Sequence, residues 1–350
     1  MKKIKAAMIG CGRQGREEDF DVTGCAMSHS HVMGYQALPN VTVVACVDLV
    51  EERAKDFAKK YNIAGVYTDY KEMIRKEKPD IVSISTWTAT HRQIVEGCAE
   101  VGVRAIHCEK PMAVTLGDAR AMMKACDDKG IQLTFNHQRR FEKQYQTARN
   151  LVNTGVIGKL RRIETACPDL FDWGTHWFDM MHFYNNDIPA EWVLGQIHVD
   201  KPKNVFGVLL ENQGMANVRF VNGVYGLMMA GAGHTIWADH RLLGTDGIIE
   251  VAMPVVRVRG RGDKEMRTIT FPEEKNIGGW TPITWGIRDA VTCLETGREP
   301  ELSARKALQA TECIFATYES SRRRGRVTFP LDIEDNPLHA MLDEGVIGTK

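Results

Sequence analysis

Near the start of the chain an apolar run, IKAAMI (4–9), leads into GCGRQG (10–15), where Gly10, Gly12 and Gly15 stand at the G-x-G-x-x-G spacing. A strand ending in such a turn constrains the fold more than any other segment. The glycines let the backbone bend sharply and approach an anion, and the helix that follows aims its first N–H groups at it. A dinucleotide site of this kind also needs an acidic residue about 20 positions past the last glycine, at the end of the second strand, to hold the ribose hydroxyls. Asp48 ends the second apolar run, VTVVACVD (41–48), but lies 33 residues after Gly15. Treating residues 16–28 as an insertion of 13 restores an interval of 20 and makes HVMGYQAL (31–38) the first helix. The helix is then expected to restart near Met27 with Ser28 or Ser30 as its cap. Glu17, Glu18, Asp19 and Asp21 of the inserted loop cannot line a pyrophosphate and should point away from it.

The runs IVSIST (81–86), VRAIHCE (103–109) and IQLTFN (131–136) alternate with helical segments, the pattern of a parallel sheet covered by helices. After about residue 140 the pattern changes. One helical stretch (141–154) precedes a series of β-type runs: LRRIETAC, NVFGVLL, MANVRFV, VYGLMMA, GIIEVAM, VVRVRG and MRTITF. Two helices, 282–296 and 304–323, and the strand RVTFPL close the chain. The expected fold is α/β: a doubly wound parallel sheet of Rossmann type in residues 1–138, then an α+β domain, 139–350, with a large, open, mostly antiparallel sheet.

The next motif is CEKP (108–111), after the strand VRAIH. With it the chain resembles the Gfo/Idh/MocA oxidoreductase family along almost its whole length. STWTATHRQIVEGCAEVGVRAIHCEKPMAVT (85–115) is similar to the family's most specific block, and FNHQRRFEKQYQTARNLVNTGVIGKL (135–160) to its domain crossover. DWGTHWFD (172–179) resembles the catalytic D-x-x-x-H segment, while LLGTDGIIEV (242–251) and 307–331 resemble a late strand and the closing helix. The insertion at 16–28 and Trp87, where many members have Pro, depart from the pattern. The resemblance implies catalytic roles for Lys110, Asp172 and His176. It implies that Gly10, Gly12, Arg13, Gln14, Gly15, Asp48, Thr86, Trp87, His91, Glu109 and Lys110 border the cofactor, and that Arg140 and Trp173 join the catalytic three around the substrate.

Those residue types suit the chemistry. Oxidising a secondary alcohol requires a base beside the hydroxyl as hydride leaves the same carbon, and His176 is the natural candidate. Asp172, four residues earlier, shares a face with it if the segment is helical, and would orient the imidazole or grip an adjacent hydroxyl. Lys110, at the carboxyl end of a parallel strand, sets a positive charge near the developing alkoxide. The sequence does not rank Lys110 against His176 as proton acceptor. Asp179 reads equally as a support to His176 or as a solvated charge.

NAD is expected rather than NADP, because Asp48 repels a 2′-phosphate and Leu49 and Val50 bring no cation. Cys25, His29 and His31 lack a fourth ligand for tetrahedral zinc, so no metal site is expected. Cys11 reads as a small filler, the tryptophans as packing or flat faces for a sugar ring, and SRRRGR (321–326) as a solvated helix end. Lysine plus arginine balance aspartate plus glutamate at 45 each, which gives no reason to expect nucleic acid or an anionic membrane as partner. Nine cysteines without a C-x-x-C pair suit a reducing, cytoplasmic setting. The expected activity is an NAD-dependent dehydrogenase acting on a sugar, sugar derivative or cyclitol. The alternatives are a glycoside-cleaving enzyme that retains NAD through a transient oxidation, and a non-catalytic nucleotide sensor. The runs VYGLMMA and GIIEVAM are apolar on both faces, so a homodimer or homotetramer formed through the second domain's sheet is expected.

Overall fold

A computed structural model of the chain describes residues 3–12, 26–205, 207–231, 233, 235–272 and 281–348. The chain divides into two compact units. The first holds the described residues of Met1–Val114, Asp118–Gln138 and Glu274–Ala307. Its strands β1 (Ile4–Ile9), β2 (Val41–Val47), β3 (Gly65–Tyr67), β4 (Ile81–Ile84), β5 (Ala105–Cys108) and β6 (Gln132–Phe135) pair in parallel, in the order β3-β2-β1-β4-β5-β6. Every residue of β4 and β5 is buried, which is why these strands read as unbroken apolar runs. Helices α1 (Ala26–Gln36), α2 (Glu51–Tyr61), α3 (Tyr70–Glu77), α4 (His91–Val101) and α5 (Leu116–Asp127) connect them. Asp69 caps α3 by accepting the amides of Lys71 (2.7 Å) and Glu72 (3.2 Å). The order reverses between β1 and β4, the switch point at which doubly wound sheets open a crevice for a ligand.

Two features of this unit depart from the sequence reading. Helix α1 begins at Ala26, so Ser28 and Ser30 lie inside it and cap nothing, and residues 26–28 are helix, not inserted loop. The inward face formed by Ser28, Val32 and Tyr35 runs at helical spacing and carries the helix back past the two serines. Arg13, Gln14, Gly15 and Cys25, with most of the insertion, lie outside the described residues. The second departure is that the chain returns to this unit late. Helix α8 (Thr281–Thr296), assigned from sequence to the second domain, buries Ile283, Ile287, Ala290 and Val291 in one cluster with Val32 and Tyr35 of α1. Each isoleucine or valine side chain so taken from water contributes about 1.5–3 kcal/mol, enough to fix where the helix packs.

The second unit contains α6 (Lys143–Asn153), α7 (Gly174–Tyr184), most of α9 (Ala304–Arg323) and α10 (Pro337–Asp343) around a nine-stranded sheet. Its strands are β7 (Leu160–Cys167), β8 (Ala190–His198), β11 (Gln213–Phe220), β12 (Tyr225–Gly231), β13 (His240–Gly244), β14 (Ile248–Ala252), β15 (Val255–Arg259), β16 (Arg267–Thr270) and β17 (Val327–Thr328). Only the β7–β12 pair is parallel among the described strands of this sheet. The run NVFGVLL is not one strand: β9 (Lys203–Val205) and β10 (Val208–Leu210) form a separate hairpin about Gly207. Period-two alternation buries Ile163, Val193, Val218, Met228, Leu242, Ile249 and Val256 on one face of the large sheet and puts Leu194, Met215, Leu227, Leu243 and Ile248 on the other. Among the described residues no helix is long and apolar enough to cross a membrane.

Candidate active site

In the first unit the expected cofactor residues gather at the carboxyl ends of β1, β2, β4 and β5. Gly10 has φ +89°, and a Cβ there would meet the Ser85 carbonyl oxygen at 2.8 Å, so only glycine lets the turn press against the end of β4. Asp48 follows β2 with both oxygens ordered: Oδ2 accepts the Cys11 amide (3.1 Å) and Oδ1 the Val50 amide (2.9 Å). The glycine turn and the Asp48 carboxylate are therefore braced against one another. Arg53, one turn into α2, lies 3.9 Å from Asp48, a cation that inspection of Leu49 and Val50 had missed. Cys11 is buried, and hydrogen bonding with Cys46 together with burial raises its thiol pKa, which suits a filler rather than a nucleophile.

Beyond β4, Trp87 is 60% exposed, while the Thr86 hydroxyl accepts a hydrogen bond from that of Thr90 (2.8 Å). His91 is wholly buried, its ring nitrogens each 3.2 Å from a carbonyl oxygen, that of Thr86 and that of Met112. Burial holds its pKa below the ordinary histidine range against the pull of these carbonyls, and a neutral ring donates to one of the two. Glu109 is buried and turned inward. One carboxylate oxygen lies 2.7 Å from His31 Nε2 and accepts from Asn136 Nδ2 (2.8 Å), and the other accepts the Lys110 amide (3.2 Å). Burial alone would raise its pKa; the hydrogen bonds from His31 and Asn136 and the charges of His31 and Lys110 outweigh it and hold the pKa below the usual carboxylate value. His31 Nδ1 lies 3.0 Å from the Ser83 hydroxyl, which also meets Tyr35 (3.1 Å). A buried polar network thus ties α1 to the turn that presents Lys110. His31 is engaged there, while His29 meets the Tyr61 hydroxyl at 2.6 Å, so the two face different partners.

The second unit carries Asp172 and His176. Asp172 lies in the turn before α7 and His176 in that helix's first turn, so the condition for their sharing a helix face is not met. Asp172 does not act as the cap either. The N-cap residue, Trp173, makes no side-chain cap bond, and Asp169 instead holds the turn ahead of the helix: its Oδ1 accepts the amides of Phe171 (3.1 Å), Asp172 (2.5 Å) and Trp173 (3.1 Å). The Asp169 carbonyl takes the Gly174 amide (2.9 Å), where a Cβ would approach the same oxygen to 2.9 Å. His176 is buried. Trp173 is 42% exposed and, with buried Trp177, stacks against the guanidinium of Arg139, which lies 5.6 Å and 4.6 Å from the two rings.

Two charges differ from expectation. Asp179 is not solvated: it is buried and bound by Arg140 through Nε (2.8 Å to Oδ2) and Nη2 (2.8 Å to Oδ1). Arg140 also meets Asp187 at 2.9 Å, so its guanidinium braces α7. The helix end at SRRRGR is not simply solvated either, since Arg322 pairs with Asp335 (2.5 Å) and Arg323 with Glu319.

Residues 4–137 match the family model described as "Oxidoreductase family, NAD-binding Rossmann fold". Through this unit, the chain matches the Gfo/Idh/MocA oxidoreductase family model. It is an NAD-binding oxidoreductase, and Gly10, Gly12 and Asp48 fit that cofactor: both glycines take a positive φ just after β1, and the Asp48 carboxylate stands at the end of β2, where a ribose would be held. Similarity extends beyond the matched segment. D-apiose dehydrogenase of Paraburkholderia graminis is 26% identical over 92% of this chain and 88% of its own length. Myo-inositol 2-dehydrogenase of Thermotoga maritima is 24% identical over 93% and 98%. An Agrobacterium radiobacter oxidoreductase, crystallised with NAD+, L-tartaric acid and magnesium, shares the fold with a TM-score of 0.79 at 20% identity, over 93% of this chain and 98% of its own. Sequence reasoning missed Asp169, although the Pro168-Asp169 pair ahead of a helix is a turn signal.

Proposed function

We propose that this Gfo/Idh/MocA oxidoreductase oxidises a secondary hydroxyl of a sugar, sugar derivative or cyclitol. The observation that supports it most is the E-K-P turn: Lys110 follows a parallel strand on the same sheet edge as the Asp48-braced glycine turn, and its neighbour Glu109 is locked by His31. Two relatives that span nine-tenths of the chain are named for an apiose and an inositol, which favours a polyol. Bound NAD supplies the hydride acceptor. As the carbon gives up hydride, the hydroxyl proton must leave, and His176 receives it while the Lys110 ammonium stabilises the alkoxide. Asp172 holds a neighbouring hydroxyl or the imidazole. Trp173 offers a flat face to the ring, and Arg140 and Asp179 keep α7 in place. The half-covered sheet face bearing Leu194 and Met215, which are 49% and 52% exposed, pairs with a second copy to form a homodimer or homotetramer. A monomer by light scattering at micromolar concentration contradicts that assembly.

The activity is tested by screening NAD reduction over cyclitols, aldoses, glycosides and uronates at mildly alkaline pH. Free NADH with at least one compound is the expected result. Cleavage of a glycoside without NADH release would assign the chain to transient oxidation, and NAD binding without turnover on any compound would make it a sensor.

A further inference from the structure

The turn from Leu170 to Trp173 has a second carboxylate beneath it. The four successive amides of this turn all point at two acidic side chains: those of Phe171, Asp172 and Trp173 at Asp169, and that of Leu170 at Glu211 (2.5 Å to Oε1). Glu211 lies between β10 and β11, fully buried, and its other oxygen accepts from the Tyr318 hydroxyl of α9 at 2.6 Å. Three separate parts of the unit therefore meet at this carboxyl group: the hairpin that precedes β11, the closing helix α9, and the turn that carries Asp172 and delivers the chain into His176.

We propose that Glu211, anchored by Tyr318, is a positioning residue that sets the turn presenting Asp172 and Trp173 and, through it, the start of α7. It touches no substrate and acts through the Leu170 amide. The ionisable groups facing it are Asp169 from the turn, Tyr318 from α9 and Cys167 at the end of β7. Burial, opposed by the Tyr318 and Leu170 hydrogen bonds and reinforced by the charge of Asp169, pushes Glu211 up to about 7. The anchor therefore changes charge near neutral pH, and its charge is felt at the same turn as that of Asp169. At acid pH Glu211 is neutral and the turn rests on Asp169 alone as the anion. At alkaline pH both are ionised, and repulsion between them bears on the backbone that holds Asp172.

The kinetic arm of the test rests on the dehydrogenase reading, and a spectroscopic arm does not. Trp173 sits in the turn and reports on it. The difference in tryptophan emission between the full chain and its Trp173→Phe variant is followed from about pH 5 to 9. A transition centred near neutrality is expected, absent in Glu211→Gln and moved upward in Tyr318→Phe, because the lost phenol had favoured the ionised form. NAD affinity should stay within about threefold in both variants, since their sites lie in a different unit. With a polyol found in the screen, Glu211→Gln should lower kcat by about tenfold or more and remove one limb of the kcat–pH profile, with the KM for the polyol changed less. A transition that persists unchanged in Glu211→Gln overturns the proposal, as does its loss with no change in kcat or in the pH profile. If Glu211→Gln does not fold, an unmoved midpoint in Tyr318→Phe overturns it alone. Should no polyol be oxidised while the transition vanishes as expected, the dehydrogenase reading fails and the anchor stands.

Discussion

Glu109 and Glu211 are the same residue type, both buried, each beneath a turn that carries a proposed catalytic group, and they are pushed in opposite directions. Glu109 has an imidazole at 2.7 Å, an amide side chain at 2.8 Å and a lysine next in sequence, and its pKa falls below the usual carboxylate value despite burial. Glu211 has a phenol, a backbone amide and the like charge of Asp169, and rises to about 7. Burial penalises the charged form in both, so the partners decide the sign. The Lys110 turn is held by a carboxylate that stays ionised around neutral pH, and the Asp172 turn by one that titrates there.

The largest expected effect comes from removing what the two turns carry. Lys110→Ala and His176→Ala should each lower turnover by about two to four orders of magnitude while NAD still binds. Equal turnover in either variant removes that residue from the chemistry. Next is the partner that distinguishes the two glutamates. His31→Ala leaves Glu109 as a buried carboxylate without its imidazole and should cost about 3–5 kcal/mol in urea-unfolding free energy. A loss below about 1 kcal/mol would show that Asn136 and the Lys110 amide hold it unaided.

That partner could not have been read from the sequence, and the reasons are physical. Parallel strands buried on both faces announce themselves as apolar runs, so β1, β2, β4, β5 and β6 and the glycine turn were legible. Helix α7 was not, because every one of its residues is buried and no amphipathic period survives in GTHWFDMMHFY. Ser28 and Ser30 look like caps only when the buried face that continues through them is unseen. An Asp such as Asp179 looks the same in sequence whether solvated or locked to an arginine, and the fact that Glu109 faces His31 while Glu211 faces Tyr318 depends on chain crossings 78 and 107 residues long.

The third test separates the glutamates by pH. For Glu211 the folded pKa lies above the ordinary 4.5, so its stabilising contribution is complete below about 4.5 and is lost as pH rises through about 7. The stability of the native protein relative to Glu211→Gln should therefore fall across that window, by at most about 3 kcal/mol. For Glu109 the sign is reversed: its contribution is present above the ordinary carboxyl value and is lost as pH falls through the depressed one. Urea midpoints between about pH 4 and 8 should diverge for the two Gln variants, and parallel curves would refute the contrast. The smallest effect concerns Asp48. Asp48→Ala should reduce the preference for NAD over NADP by about tenfold, ~1.4 kcal/mol, with Arg53 then free to meet a 2′-phosphate. Wild-type protein that reduces NADP faster than NAD would reverse this reading of the β2 terminus.

The central claim is hydride removal from a carbinol carbon with the hydroxyl proton taken by protein groups, and single-turnover NAD reduction with a polyol deuterated at that carbon tests it most directly. Stoichiometric NADH is expected, formed more slowly from the deuterated substrate, with its rate falling towards acid pH as the base becomes protonated. NADH formation indifferent to deuteration at every carbinol position, or absent with every polyol that binds, would contradict it.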